Sequence, residues 1–456
     1  METDTIAAIA TAMAASGIGI IRISGEDAVE IADRVFYAKN GIALKDSLSH
    51  TIHYGYIKDE NEIIDEVIVL LMKAPNSYTR EDTVEIDCHG GVLVMQKILE
   101  VVVRHGARPA EPGEFTKRAF LNGRIDLTQA ESVIDIINSK NEFALKSSVQ
   151  QLRGAVRDQI QILRDQIIHE TAFIESAIDD PEHYSLDDYA DHLLQIISEV
   201  RKKIQYLVDT SDQGRVLKEG INTVIVGKPN VGKSSLLNVL AGSERAIVTE
   251  VAGTTRDVLE EQINLNGILL NMIDTAGIRK TDDIVEKIGV DKAKEYLNLA
   301  DLVLYVIDSS KALGPEDYEI AQMIRGKNVI VLMNKSDLEP NITAEDLSEI
   351  AERIILISAK EGDGIEALTQ MIQTMFLHGK ISLNDEVIIT NIRHKNALLK
   401  ALESLNLVDV SIQNQMPEDF YSIDLMNAYQ ALGEIIGESV EDDLADEIFS
   451  KFCMGK

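Results

Sequence analysis

A glycine-rich segment ending in lysine and serine is the first feature of this sequence that indicates chemistry. Residues 227–234 read Gly-Lys-Pro-Asn-Val-Gly-Lys-Ser, directly after the strand-like run 221–226 and before a helical segment near Leu236. In this strand–loop–helix setting, loop amides cradle phosphates, Lys233 offsets the charge of the β- and γ-phosphates, and Ser234 can ligate Mg²⁺. That setting disfavours a chance match to the pattern.

Three further motifs follow in chain order, each after an apolar run. Asp274-Thr-Ala-Gly277 places a carboxylate at a strand end, where it can serve the outer shell of the metal. Asn334-Lys-Ser-Asp337 supplies a carboxylate that can accept from guanine N1–H and the exocyclic amine, a pair that adenine cannot offer. Ser358-Ala-Lys360 can offer a backbone N–H to guanine O6. The four motifs together predict a GTP site.

Hydrolysis cannot follow the commonest small GTPases in every detail. They resemble this chain up to Asp-Thr-Ala-Gly, but the next position, where they have a water-orienting glutamine, is Ile278. Two candidates could replace it: Glu286, or a cation held near Asn230. From the residues alone, a solvated charge in an acidic loop is the better interpretation of Glu286. Thr255, in the segment 253–257, is placed to complete the Mg²⁺ shell.

The elements that must position these motifs suggest a multidomain protein with α+β and α/β parts. Helical periodicity over 126–177 predicts one long amphipathic helix or two in series. The simplest arrangement inserts the α/β domain into a helical domain, although two separate helical modules would leave the same pattern. The predicted segments are an N-terminal α+β domain (1–118), the first half of a helical bundle (119–218), an inserted P-loop domain with a mainly parallel sheet (219–379) and the second half of the bundle (380–456).

Composition limits the possible environments and partners. No apolar run approaches the ~20 residues of a membrane span, and Glu2 and Asp4 stand where a secretory signal needs cations. The only cysteines, Cys88 and Cys453, are far apart, so we expect a reducing cytoplasm rather than disulfides or zinc. The net charge of −32 favours either simple solubility or an RNA partner that is bound through a local basic patch or with the help of a second protein.

Beyond the four motifs, the chain resembles the MnmE (TrmE) family of tRNA-modification GTPases, within the TrmE-Era-EngA-YihA-Septin-like class. The resemblance covers the whole chain, and general GTPases lack the segments outside the P-loop domain that carry it. The shared segments are Gly19–Gly25, Pro75–Asp82, His89–Gly91, Pro112–Gly123, Ala252–Val258, Asp274–Arg279, Val285–Gly289 and Cys453–Lys456.

This resemblance implies an activity with partners. Family members work with the flavoprotein MnmG, in a heterotetramer or larger complex, on certain tRNAs. They add a carboxymethylaminomethyl or aminomethyl group at C5 of the wobble uridine, with carbon from 5-formyl- or 5,10-methylene-tetrahydrofolate. They also form homodimers through the N-terminal domain. The alternative, a ribosome-assembly GTPase switch, usually carries a basic RNA-binding module, whereas the flanks here are acidic helices.

The resemblance also implies a folate pocket formed by Arg22, Glu81, Arg124 and Lys456. By themselves these charges would be read as surface ion pairs. Arg124 stands where a family member has lysine, which keeps the charge but changes the donor geometry. Cys453 could act as a nucleophile toward the pyrimidine, or it could be an ordinary free cysteine on a frayed tail.

In the GTPase, the resemblance implies that K⁺ replaces an arginine finger when two P-loop domains meet face to face. Its ligands would be the side chains of Asn230 and Thr254 and the backbones of Thr249 and Val251, and Glu286 would position the water. The predicted GTP-binding residues are Asn230, Val231, Gly232, Lys233, Ser234, Ser235, Thr249, Glu250, Val251, Ala252, Gly253, Thr254, Thr255, Asp274, Thr275, Ala276, Gly277, Asn334, Lys335, Asp337, Ser358 and Ala359.

Overall fold

The computed structural model describes residues 4–60, 62–186, 189–243, 261–273, 296–377, 387–438, 447–452 and 455. Contacts divide the chain into two compact units. The first unit comprises Met1–Asn138, Ser148–Arg201 and Ala397–Lys456, and the second comprises Ser139–Ser147 and Lys202–Asn396. Over the described ranges, we find no helix with the length and apolar character required to span a membrane.

The elements of the described residues are as follows. The strands are β1 (Ile6–Ile9), β2 (Ser16–Ser24), β3 (Phe36–Ala38), β4 (Thr51–Asp59), β5 (Glu62–Met72), β6 (Thr83–Gly90), β7 (Arg108–Pro109), β8 (Ile221–Val226), β9 (Glu261–Leu265), β10 (Ile268–Met272), β11 (Leu302–Asp308), β12 (Val329–Asn334) and β13 (Ile354–Leu356). The helices are α1 (Ala28–Val35), α2 (Val92–Arg104), α3 (Glu114–Leu121), α4 (Leu127–Asn138), α5 (Glu142–Leu152), α6 (Ala155–Asp179), α7 (Tyr189–Glu219), α8 (Lys233–Ser243), α9 (Pro315–Met323), α10 (Ile365–Leu377), α11 (Ile392–Gln413) and α12 (Glu418–Ile436).

A mixed sheet organises the N-terminal part of the first unit, with the strand order β3-β4-β5-β6-β2-β1-β7 in the described residues. Its neighbours pair antiparallel except β1 and β7, which are parallel. Successive side chains of a strand face opposite sides. Ile21, Ile23 and Ile86 therefore enter the core beneath α1 and α2, while Arg22 and Glu85 stand on the opposite face. This α+β architecture confirms the expected fold of this part of the chain.

The expectation of one or two helices over 126–177 was wrong, because the structure divides this segment into α4, α5 and α6. The Asn141 side chain caps the start of α5, where its Oδ1 accepts from the Ala144 N–H at 2.7 Å. Gly154, at φ 92°, takes a left-handed conformation just before α6. Polar capping and one glycine therefore interrupt a hydrophobic periodicity that continues across both breaks.

The second unit holds a sheet in the order β13-β12-β11-β8-β10-β9, parallel except for the β10–β9 pair. Every residue of β11 and β12 is buried, as expected for parallel strands covered on both faces. Side chains of α8 and α10 pack on one face, and those of α9 pack on the other. The predicted α/β domain with a mainly parallel sheet is confirmed, and ligands of such sheets bind at the carboxyl ends of the strands.

Candidate functional site

The phosphate loop joins the end of β8 to α8, and two glycines determine its path. At Gly227, φ is 149° and a Cβ would lie 2.3 Å from the Val306 carbonyl oxygen. At Gly232, φ is 104° and a Cβ would lie 2.1 Å from Asn334 Nδ2. Only glycine avoids both the strained backbone and the clash. The loop therefore lies directly against β11 and against the end of β12.

Lys233, the first residue of α8, is buried, and its ammonium lies over the loop. Lys233 Nζ donates to the carbonyl oxygens of Gly227 and Lys228, at 2.7 Å each. A helix N-terminus offers backbone N–H groups and a positive dipole end to an anion. Together with Ser234 and Ser235 in the first turn, this arrangement fits the phosphates of a nucleotide.

Asn334 connects the two sides of the predicted guanine site. Its Nδ2 donates to the Val231 carbonyl in the phosphate loop at 2.7 Å, and its Oδ1 accepts from the Ala359 N–H at 2.9 Å. The side chain is 2% exposed, so both polar ends need these partners. Asn334 thus fixes the phosphate loop and the Ser358–Lys360 turn relative to each other.

Asp337, the residue expected to read guanine, is exposed at the surface. The buried Ser358 donates from Oγ to Asp337 Oδ1 at 2.9 Å, which orients the carboxylate. Ser358 N–H donates to the Asp363 carbonyl at 3.1 Å. The structure therefore brings together residues of two predicted motifs that are separated in sequence by β13.

Sequence reasoning missed Asp308, which anchors Lys335 of the same site. Asp308 ends β11 opposite Asn334 at the end of β12, and its Oδ2 accepts from Lys335 Nζ at 2.7 Å. Burial acts to raise the pKa of Asp308, but hydrogen bonds from Lys335 and Ser310 outweigh it and hold that pKa below its ordinary value. A polar residue directly after the apolar run 302–307 was the available signal.

Several predicted residues lie outside the described residues. They are Thr249, Glu250, Val251, Ala252, Gly253, Thr254, Thr255, Asp274, Thr275, Ala276, Gly277, Glu286, Cys453 and Lys456. Asn230, the described member of the predicted K⁺ set, is exposed and has a left-handed φ of 61°. The proposed Mg²⁺ and K⁺ sites therefore remain predictions, with Ser234 and Asn230 as their described parts.

A second cluster lies in the first unit and contains Arg22 and Arg124. The guanidinium carbons of Arg22 and Arg124 lie 5.6 Å and 4.7 Å from the centre of the Tyr78 ring. Arg22 also lies 5.6 Å from the centre of the Phe115 ring. Arginines against aromatic faces present donors to anionic or carbonyl groups beside an apolar wall. Tyr78 and Phe115 were not selected from the sequence, because single aromatic residues are usually interpreted as core residues.

Arg22 joins this cluster to the C-terminal segment. Its Nε donates to Glu85 Oε1 at 2.7 Å and its NH1 donates to the Gly455 carbonyl at 3.0 Å. Gly455 is buried, with φ 84°, and a Cβ there would lie 2.4 Å from the Ile9 carbonyl oxygen. Gly455 of the Cys453–Lys456 motif therefore lies beside Arg22, one of the predicted folate residues.

Glu81 belongs to an ion-pair network beside the same cluster. Its carboxylate accepts from Ser24 Oγ at 2.8 Å and from Arg118 NH1 at 3.2 Å. Arg118 also pairs with Asp4 and Glu114, at 2.7 and 3.0 Å. Hydrogen bonds from Arg108 and Arg118 outweigh burial and lower the pKa of Asp4. Glu81 is therefore held in place by Arg118, which the sequence did not single out.

Comparison with known proteins matches both parts of the chain. A family model described as the N-terminus of the GTP-binding protein TrmE matches residues 5–124, and a model of the MnmE helical domain matches residues 127–453. The G domain of the FeoB iron transporter of T. maritima is 27% identical over 34% of this chain and 98% of its own, with a TM-score of 0.25. At that score, this last likeness does not bear on function.

Curated relatives match over their full length, and each carries the name tRNA modification GTPase MnmE. The protein of Lachnoclostridium phytofermentans is 57% identical over 100% of both chains. Those of Alkaliphilus metalliredigens and Clostridioides difficile are each 49% identical over 99% of both chains. With four GTPase motifs in order along its sequence and such likeness over the whole length, this chain belongs to the MnmE family of tRNA modification GTPases, enzymes that hydrolyse GTP.

Proposed function

We propose that this chain hydrolyses GTP to support the modification of C5 of the wobble uridine in certain tRNAs, using a tetrahydrofolate one-carbon donor and the flavoprotein MnmG. The observation that carries the proposal is the contact between Arg22 and Gly455. It joins the Arg22–Tyr78–Arg124 cluster to the C-terminal motif, an arrangement with no role in a simple GTP switch. Among the described residues, no contact favours the ribosome-assembly alternative.

Two arginines beside Tyr78 suit a folate derivative, which has an aromatic ring system with carbonyl groups and a glutamate tail. The pterin can stack on aromatic and guanidinium planes. Arg22 and Arg124 can donate to its carbonyl or carboxylate oxygens. When bound, the folate would supply the one-carbon unit, and we propose Lys456 as a further anion partner. Glu81 can accept from pterin N–H groups, since Arg118 keeps its carboxylate in place.

Calorimetry with 5-formyltetrahydrofolate tests this proposal directly. We expect binding by the full chain and a loss of about tenfold or more in affinity for Arg124→Ala, because a charge-assisted contact disappears. Arg34→Ala is the matched control, since Arg34 is a half-exposed arginine of the same unit paired with Glu30. Folded wild-type protein that does not bind the folate would remove the modification proposal.

For hydrolysis, we propose that K⁺ near Asn230 takes the place of an arginine finger when two P-loop domains meet. The remaining ligands would be Thr254 and the backbones of Thr249 and Val251. Mg²⁺ would be held by Ser234 and Thr255. Glu286 would orient the attacking water, because Ile278 cannot. The exposure and left-handed backbone of Asn230 support this, as they present its side chain at the rim of the loop.

Steady-state GTP hydrolysis at matched ionic strength should be faster in K⁺ than in Na⁺, and equal rates would refute the cation's role.

Glu286→Ala should lower kcat by about a hundredfold, with GTP affinity nearly unchanged. Asp283→Ala is the control, as it removes a neighbouring acidic residue of the same stretch. Normal turnover in Glu286→Ala would remove Glu286 from the site.

We further propose a homodimer through the N-terminal domain. The sheet face opposite α1 and α2 presents Ile52, Tyr54 and Ile68, whose exposed fractions are 71%, 49% and 44%. Apolar side chains grouped on one sheet face favour a partner surface. Sedimentation should give the mass of two copies, and a monomer at micromolar concentration would contradict the proposal.

The net charge of −32 leads us to propose that MnmG makes most of the phosphate contacts to tRNA. Binding of tRNA by this chain alone should then be weak, with a shallow dependence on salt. A steep salt slope would indicate many phosphate contacts and contradict this division. The same proposal implies a cytoplasmic protein, which cell fractionation would check.

A further inference from the structure

Lys228, the second residue of the phosphate loop, forms an ion pair beyond the loop. Its Nζ lies 2.5 Å from Asp317 Oδ2, on the first turn of α9. The Lys228 side chain is 23% exposed and that of Asp317 is 2% exposed. A buried carboxylate is unfavourable unless it is paired and hydrogen-bonded. The ion pair therefore joins the phosphate loop to the buried Asp317 carboxylate, which needs Lys228 as a partner.

Two further donors reach Asp317 from other parts of the fold. The Gly314 N–H donates to Asp317 Oδ2 at 2.8 Å, which caps the start of α9. The Tyr305 hydroxyl lies 3.3 Å from Asp317 Oδ1 and 3.2 Å from the Asp317 carbonyl. Burial and the Asp317 charge raise the pKa of Tyr305, so its hydroxyl remains a donor at neutral pH. The loop, the helix and β11 thus converge on one carboxylate.

Lys228 also contacts the phosphate-binding lysine through its main chain. The Lys228 carbonyl accepts from Lys233 Nζ at 2.7 Å. Beside it, a Cβ at Gly227 would lie 2.3 Å from the Val306 carbonyl oxygen, so the loop begins in close contact with β11. Lys228 therefore contacts the buried Asp317 carboxylate with its side chain and the Lys233 ammonium with its backbone carbonyl.

We propose that Asp317 is a positioning residue for GTP hydrolysis, which acts through Lys228 to fix the phosphate loop on β11 and so to place the Lys233 ammonium. The competing role is a helix cap for α9 and nothing more. Asparagine separates the two roles, because its Oδ1 can still accept from the Gly314 N–H but carries no charge for Lys228.

The test compares Asp317→Asn, Lys228→Met, their double variant and Lys228→Arg in the full-length protein. The readouts are the Kd of a fluorescent GTP analogue, kcat and KM for GTP, and Tm. Each single variant should raise Kd and KM by about tenfold, because a small displacement of positioning groups has large effects. The double variant should be no worse than either single one, since both remove the same interaction. Lys228→Arg should stay within about threefold of the wild type, because it keeps the charge.

Asp346→Asn is the matched control, because Asp346 accepts from the Thr343 N–H at 2.8 Å in the same unit, on an exposed turn. It should leave Kd, KM and kcat unchanged. Unchanged Kd, KM and kcat for Asp317→Asn, whatever its Tm, would reduce Asp317 to a helix cap. Additive losses in the double variant would show that Lys228 and Asp317 act independently. If Lys228→Met does not fold, Tyr305→Phe removes only the hydroxyl and should raise KM by about twofold to threefold; an unchanged KM would then overturn the proposal.

Discussion

At the scale of single residues, the predicted guanine site depends on buried polar side chains, and not all of them belong to the recognition motifs. Asn334 satisfies both ends of its amide with loop backbone. Asp308 lies outside the motifs, yet it holds Lys335. Its pKa is lowered, so its ionised form is stabilised by folding. This contribution is present above the unfolded pKa and is lost as pH falls through the lower folded pKa, so it acts fully at neutral pH.

Asp308→Asn should therefore weaken GTP binding at pH 7 by about tenfold, because Lys335 loses a charge-assisted partner. Measurement of Kd for a fluorescent GTP analogue checks this. Lys311→Gln is the control, since its Nζ lies 3.7 Å from Asp308 Oδ2 and its side chain is 68% exposed. An Asp308→Asn protein that binds GTP as tightly as the wild type would show that Lys335 needs no anchor.

At the scale of elements, the phosphate loop is a short connection held on both sides. It leaves β8 against β11 at Gly227 and enters α8 against Asn334 at Gly232. The first contact fixes where the loop starts, and the second fixes how α8 presents its N-terminus to an anion. The strand–loop–helix pattern therefore works only because neighbouring strands of the sheet support it.

Gly232→Ala should abolish nucleotide binding, because φ 104° is unfavourable for alanine and its Cβ would meet Asn334 Nδ2 at 2.1 Å. Gly242→Ala, in α8, is the matched control, as a Cβ there meets nothing within 4 Å. The control should bind normally and gain up to about 1 kcal/mol of stability from helix propensity. Calorimetric titration with GTP and thermal unfolding report both results, and tight binding by Gly232→Ala would contradict the contact argument.

At the scale of the whole molecule, the end of the chain completes the first unit. Phe449 and Phe452 pack with Phe120 in a cluster to which α3 and α4 also contribute. At Gly113, φ is 71° and a Cβ would lie 2.5 Å from the Phe449 carbonyl oxygen. Burial of these rings fixes Phe449 and Phe452 in the core of the first unit, close in sequence to Gly455, whose carbonyl contacts Arg22.

Phe449→Ala should lower the free energy of unfolding of the first unit by about 3–5 kcal/mol, the usual cost of a large cavity. Phe420→Ala is the control, because Phe420 is 42% exposed and should cost far less. Calorimetric unfolding of the full chain measures both. Equal, small shifts in the two variants would mean that the C-terminal segment contributes little to the core.

Much of this protein could be predicted from local patterns. The strand-like run 221–226 became β8 without change of bounds, and the helical segment expected near Leu236 became α8. The division of 126–177 was missed, since periodicity persists across Asn141 and Gly154 while capping and a left-handed backbone decide the breaks. Local propensity is a weak guide where hydrophobic spacing is continuous.

The sequence by itself predicted the GTP site, because each of its four motifs is a short segment that requires particular residue types at fixed spacing. It also determined the family, through segments spread over the whole chain. Only the tertiary structure decided which side chains support those motifs. Asp317 lies far along the chain from Lys228, and Asp308 ends a different strand from the one that precedes Lys335. Tyr78 and Gly455 reach Arg22 from distant parts of the chain. Burial determines these partners, because a charged or polar atom that is removed from water needs an ion-pair or hydrogen-bond partner within the fold.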